Sequence, residues 1–183
     1  RYWQYDGEPV VLLGASDEDN LFQHPDVESQ VRTLAASGGN YVRNTLSSRE
    51  EFAVWPFAGV DDGVYDLERW NPRYWARLER FLDVTAAHDV VVQVELWALH
   101  DFFWRAWPDN PWNPANNVTY GFDETTLEEG GYEEVRGPTH DFFLTPPALG
   151  DDEVVRAHQE RFVDRVLEST LEHDHALYCI TNE

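Results

Sequence analysis

Four short apolar runs alternate with three amphipathic helix patterns, and that alternation is the strongest constraint on the fold. The runs are Val10-Val11-Leu12-Leu13, Tyr41 to Leu46, Val90 to Trp97 (VVVQVELW) and Ala176 to Ile180 (ALYCI). Each is short and dominated by β-branched, aliphatic or aromatic residues, as expected of strands covered on both faces. Between them apolar residues recur at helical spacing. Val27, Val31, Leu34 and Ala35 lie within about 26–37, and Tyr74, Leu78, Phe81, Leu82 and Thr85 follow Asn71-Pro72. Val155, Phe162, Val163, Val166 and Leu167 lie within about 151–172. Asn at a cap and Pro in the first turn start the second helix, and Gly38-Gly39 stops the first. Strands alternating with helices imply a parallel sheet with crossover connections. A doubly wound sheet and half of an eight-stranded barrel both meet that order. Gly14-Ala15-Ser16 lacks the spacing of a dinucleotide-binding fingerprint, which favours the barrel.

The connections carry their own signals. Asp6-Gly7 between residues 1–5 and Val10 suits a hairpin turn. The stretch through Trp55-Pro56-Phe57 and Asp61-Asp62-Gly63 reads as a polar, aromatic loop. Residues 98–150 are mostly Pro, Asn, Gly and aromatics, and so long a connection is usually functional. Trp104, Trp107 and Trp112 within it are expected chiefly to pack the loop onto the fold. The 183 residues fit one domain, 1–183.

Charge narrows the partners. There are 13 basic residues, all of them Arg, against 35 acidic ones, a formal net charge of −22. Nucleic acid and anionic membrane surfaces both require a basic face, so neither is expected as a partner. No apolar run approaches the length of a membrane span. The single Cys179 excludes a disulfide framework and a Cys-rich zinc site. His173 and His175 lack a third nearby ligand and read as solvated; the acidic run Asp17-Glu18-Asp19 lacks EF-hand spacing. No metal and no cofactor is expected. The acid excess fits adaptation to high salt; a genome rich in G and C would explain Arg in place of Lys, but not the excess of acid. A chain starting at Arg1 without Met reads as a processed or excised piece, which leaves secreted and cytoplasmic locations open.

Functional groups of parallel α/β folds gather beyond the carboxyl ends of the strands. Those ends hold Ser16, Asp17 and Glu18; Arg43 and Asn44; Glu95, Trp97 and His100; and Asn182-Glu183. Carboxylates, amides, Arg, His and Trp on one rim suit carbohydrate, because indole faces stack on sugar rings and polar groups bind hydroxyls. Arg43 needs a partner inside its strand, and Glu95 is a plausible one.

The fourth run, ending in Asn-Glu, resembles the acid/base motif of the large clan of retaining (β/α)8 glycoside hydrolases. That clan includes cellulases, mannanases and β-galactosidases. YVRNTL resembles the clan's second strand and VVVQVELW its third; RYWQYDGEPVVLLGAS and YDLERWNPRYWARLERFLDVTAAHDVVV are similar to the start of cellulase-like barrels. The resemblance implies an α/β fold of TIM-barrel type with only the first four strands in this chain, so that the C-terminal half of the barrel becomes an expected partner. It implies cleavage of a β-linked oligo- or polysaccharide with Glu183 as general acid/base. Asn182 would bind the hydroxyl next to the reacting carbon, and Arg43, Asn44, Glu95, Trp97 and His100 would complete the substrate site. The second carboxylate of a retaining mechanism comes from the clan's seventh strand, which four strands do not reach. Two alternatives remain: a non-catalytic carbohydrate-binding relic, and a metal-dependent hydrolase using Glu95, His100 and Asp101.

Overall fold

Three of the four apolar runs form one parallel sheet in the computed structural model, which describes residues 3–5, 7–103, 106–128 and 140–181. Strands β1 (Trp3–Tyr5) and β2 (Glu8–Val10) make an antiparallel hairpin, with Gly7 at φ +82° in its turn. A glycine meets that left-handed conformation without a Cβ clash. Helix α1 (Val27–Ala36) leads to β3 (Tyr41–Thr45). A second antiparallel hairpin, β4 (Phe57–Asp61) and β5 (Val64–Trp70), precedes helix α2 (Pro72–Ala87). Strand β6 (Val91–Trp97), helix α3 (Glu153–Thr170) and β7 (Ala176–Thr181) follow. The parallel order is β3-β6-β7, with Arg43 opposite Gln93, Thr45 opposite Glu95, and Glu95 opposite Cys179.

Local chemistry accounts for the helix starts. Asn71 Oδ1 accepts from the Arg73 N–H at 3.1 Å and Pro72 occupies the first turn. Asp152 Oδ1 accepts from the Val155 N–H at 2.9 Å, while its second oxygen takes the Thr126 N–H at 2.7 Å. One carboxylate therefore caps α3 and fastens the long loop to it. Along α2, Tyr74, Leu78, Phe81, Leu82 and Thr85 are buried as expected, joined by Trp75. They belong to the same apolar cluster as Val42, Val92 and Val94 of the sheet. Burial of each aliphatic or aromatic side chain contributes about 1.5–3 kcal/mol, so this layer anchors the fold. On α3, Val155, Phe162 and Val166 are buried, whereas Val163 and Leu167 are only half-buried.

Three expectations need correction. The expected first parallel strand does not join the sheet. Val10 ends β2, and Val11 and Leu13 are 66% and 59% exposed. The segment runs beside the start of β3 through bonds to Asn40 instead: Leu13 N–H to Asn40 Oδ1 at 2.8 Å, Asn40 Nδ2 to the Val11 carbonyl at 3.0 Å, and Asn40 N–H to the Leu13 carbonyl at 2.8 Å. Gly14 packs so closely that a Cβ there would lie 1.5 Å from the Tyr41 carbonyl oxygen. The parallel sheet therefore has three strands, not four, among the described residues. The loop expected over 47–70 contains the β4–β5 hairpin, turning at Gly63 with φ +71°. His175 is buried rather than solvated, with Nε2 3.0 Å from Thr85 Oγ1. Asp17 and Asp19 of the acidic run are exposed, and Asp19 is ion-paired there.

The long connection is part of the core. Phe102, Phe103, Trp107, Trp112, Tyr120 and Phe142 are buried in the main apolar cluster. Trp104 lies outside the described residues. The loop is also sewn to the β4–β5 hairpin: Val118 N–H donates to the Tyr65 carbonyl at 2.9 Å, and Leu67 N–H to Thr119 Oγ1 at 2.9 Å.

With −22 formal charges, self-repulsion opposes compaction. The Debye length shrinks from about 10 Å at 0.1 M salt to about 3 Å at 1 M. A melting series in NaCl is therefore expected to show the melting temperature rising across that range. A flat or falling series would remove adaptation to salt as the reason for the acidity.

Candidate active site

Strand alternation decides which side chains can meet. Successive residues of a strand point to opposite faces. Val42, Val92 and Val94 are buried in the helix-covered core, so Tyr41, Arg43, Gln93 and Glu95 share the other face. There they form a connected set. Tyr41 Oη donates to Gln93 Oε1 at 2.8 Å, and Gln93 Nε2 donates to Glu95 Oε1 at 2.8 Å. Arg43 Nε lies 3.4 Å from the same Glu95 oxygen, while Arg43 Nη2 donates to Asp19 Oδ1 at 2.8 Å.

Glu95 is 2% exposed, and among the described residues its Oε2 has no hydrogen-bond partner. Burial raises its carboxyl above the usual range; the Gln93 amide and the Arg43 guanidinium oppose that, and Asp19 adds to it. Burial also raises the Tyr41 phenol, with Glu95 reinforcing the shift. A buried carboxylate with one oxygen committed to Gln93 and Arg43 and the other unpartnered among the described residues is an acceptor that calls for a further donor.

Next to this set the two rim loops meet. Arg49 Nε lies 2.6 Å from Asp101 Oδ1, and the Ser47 hydroxyl donates to that oxygen at 3.0 Å. Arg49 Nη2 lies 3.6 Å from Asp19 Oδ2. Asp101 is 4% exposed, and burial pushes its carboxyl up to about 6 against the pull of Arg49 and Ser47. Asn110 Nδ2 holds the Asp101 carbonyl at 2.7 Å.

The structure brings Arg43 and Glu95 together. Asn44 stands on the opposite face, buried, with its Oδ1 accepting from the Phe22 N–H at 2.9 Å. Trp97 is set among Phe162, Phe142, Trp112 and Phe102, its ring centroid 5.1, 5.1, 5.9 and 6.4 Å from theirs. Its ring thus belongs to the aromatic wall beneath the long loop. His100 is half-buried in the 3-10 turn Leu99–Phe102, whose next residue is Asp101. Asn182 and Glu183 lie outside the described residues; Thr181, just before them, pairs with Trp97 at the carboxyl end of the sheet. Among the described residues no group of three or more His, Cys, Asp or Glu side chains is arranged to hold a metal ion. Gln93, Asp19, Ser47 and Arg49 were not among the expected site residues. Gln93 could have been found from the strand pattern, because it stands two residues before Glu95 on one face. Ser47 and Arg49 follow the second strand directly, where rim residues occur.

No protein-family model matches the chain, and no curated protein does. Its structure resembles that of a glycoside hydrolase family 5 mannosidase from Rhizomucor miehei. The TM-score is 0.58 with 15% sequence identity, over 100% of this chain and 46% of the mannosidase. The likeness is one of fold: the chain is folded like part of that enzyme. The chain spans about half the length of that neighbour. The Arg43–Glu95 pair sits on the parallel sheet, on the face turned away from the helix-packed valines.

Proposed function

We propose that this chain is part of a retaining glycoside hydrolase acting on a β-linked oligo- or polysaccharide. The observation that carries the reading is the likeness of the whole chain to part of a family 5 mannosidase. The buried Glu95, held by Gln93 and Arg43 on the sheet face away from the helices, supports it. Glu183 is the general acid/base in this proposal. It protonates the leaving oxygen as the glycosidic bond breaks, then takes a proton from the water that releases the sugar. Asn182 binds the hydroxyl beside the reacting carbon. Arg43 and the Glu95 carboxylate bind further hydroxyls in this proposal, and His100 lies along the same rim. Trp97 supports the rim, and Asn44 supports the strand that carries Arg43. The nucleophile belongs to a part of the barrel other than these strands. The mannosidase neighbour makes β-mannosides the first substrates to try. No cofactor takes part in this scheme, and neither nucleic acid nor a membrane surface is a partner.

The remaining barrel has a place to pack. Among the described residues β7 pairs only with β6, and its Tyr178 and Ile180 are 45% and 72% exposed. A groove of about 390 Å³ beside it is lined by Trp97, Phe143, Pro146, Val163 and Ile180. An unpaired edge next to an apolar groove favours association. Residues 1–183 expressed alone are therefore expected to self-associate or aggregate, and to leave activated aryl β-glycosides uncleaved. Light scattering and an aryl-glycoside assay check both. A stable monomer that turns over substrate would overturn the assignment of the nucleophile to another part of the barrel.

A further inference from the structure

The charges around Arg43 form an alternating chain: Asp101, Arg49, Asp19, Arg43, Glu95. The successive closest approaches are 2.6, 3.6, 2.8 and 3.4 Å. Its ends are buried, Asp101 at 4% and Glu95 at 2% exposure, and its middle is open, with the Asp19 and Arg43 side chains 48% and 45% exposed. The five residues come from four separate segments: the loop after residue 14, β3, the loop following β3, and β6 with the loop beyond it. We propose that Asp101, Arg49 and Asp19 are positioning residues through which the long loop sets how closely Arg43 approaches Glu95. The proposal deepens the reading of Arg43 and Glu95 as substrate-binding groups and rests on it.

Arg43 is shared. Its Nη2 is held by Asp19 at 2.8 Å, and its Nε meets Glu95 at the longer 3.4 Å. Asp19 is in turn shared with Arg49, which Asp101 and Ser47 hold from the buried side. Removing the Asp101 acceptor frees Arg49 to close on Asp19, its other carboxylate partner. Asp19 then holds Arg43 less firmly, and Arg43 moves onto Glu95. Shortening Arg49 does the reverse: Asp19 turns wholly to Arg43 and draws it from Glu95. An opposite charge nearby favours the ionised carboxylate, so these two changes shift Glu95 in opposite directions.

Other groups face the two ends. Arg49, Ser47 and Glu50 from the loop after β3 and Tyr74 from α2 act on Asp101 or feel its charge. Gln93, Tyr41 and Asp19 surround Glu95, and Cys179 lies opposite it on β7. Apart from the substituted Asp101, Arg49 and Asp19, these are common to the wild type and the variants, so differences between variants report on the chain of charges.

The experiment is a carbon-detected NMR titration of the Glu95 carboxyl at about 0.05 M salt, where screening is weak. Asp101→Ala, which removes the acceptor whatever its protonation, is expected to move the Glu95 midpoint to lower pH, and Arg49→Lys to higher pH. In an Asp19→Asn background, Asp101→Ala is expected to have no further effect. Unchanged midpoints, shifts of one sign in both variants, or an undiminished Asp101→Ala shift in the Asp19→Asn background would overturn the proposal. Should Asp101→Ala fail to fold, Arg49→Lys with and without Asp19→Asn gives the same decision. The titration needs no turnover, so absence of glycosidase activity would count against the functional reading and leave this one standing.

Discussion

Glu183→Gln, made in the full product of the gene, is expected to lower kcat about 10²- to 10⁴-fold on β-glycosides with poor leaving groups. Alkyl glycosides and natural oligosaccharides need a proton delivered to the departing oxygen, and Gln cannot supply it. An activated aryl glycoside departs as a stabilised phenolate, so its bond cleavage should suffer far less. The comparison of the two substrate classes carries the assignment. Equal loss on both would contradict acid/base catalysis by Glu183 and leave that residue a structural or binding role.

The second large effect concerns pH and stability. Asp101 and His140 are both buried, at 4% and 0% exposure, and they titrate in opposed senses. Burial raises the Asp101 carboxyl from 3.8 to about 6, so the folded chain holds a proton there that the unfolded chain has lost. Stability from Asp101 therefore falls as pH rises between about 4 and 6. Burial lowers the His140 imidazole from 6.5 to about 3, where Phe102, Phe103 and Trp107 surround it. The folded chain lacks a proton that the unfolded chain holds, so stability from His140 rises with pH between about 3 and 6.5. At about 1.4 kcal/mol per pH unit, each group contributes about 3 kcal/mol between pH 4 and 7, with opposite sign. The two nearly cancel in the wild type. Asp101→Asn should expose the His140 slope, making the variant gain about 3 kcal/mol relative to the wild type on going from pH 4 to pH 7. His140→Gln should expose the opposite slope. Urea unfolding at both pH values checks this, and parallel profiles for wild type and Asp101→Asn would contradict it.

Much of the architecture was legible because it depends on neighbours in sequence. The Asn71-Pro72 start and the stripe Tyr74, Leu78, Phe81, Leu82 and Thr85 on α2 needed only capping chemistry and helical period. Three of the four expected parallel strands needed only their short, largely apolar runs. Val10 to Leu13 misled because an apolar run does not say what will cover it. Here a hairpin takes Val10 and exposed backbone takes the rest. The β4–β5 hairpin was masked by its acidic turn at Asp61-Asp62, and His175 by acidic neighbours that suggest solvent. Within the candidate site, Arg43 and Glu95 were legible as a pair because each needed a partner. That Asn44 could not share a face with Arg43 followed from strand alternation alone. The Asp101–Arg49–Asp19 connection was not legible, since it joins segments far apart in sequence by tertiary packing.

Retaining hydrolysis of a β-linked glycoside shows itself in the stereochemistry of the first-formed product. The full gene product should be mixed with an aryl β-mannoside and, in parallel, with β-1,4-linked manno- and cello-oligosaccharides, while proton NMR follows the anomeric signals before mutarotation. Cleavage is expected in at least one case, with the β-anomer appearing first. First appearance of the α-anomer, or no cleavage of any β-linked substrate, would contradict it.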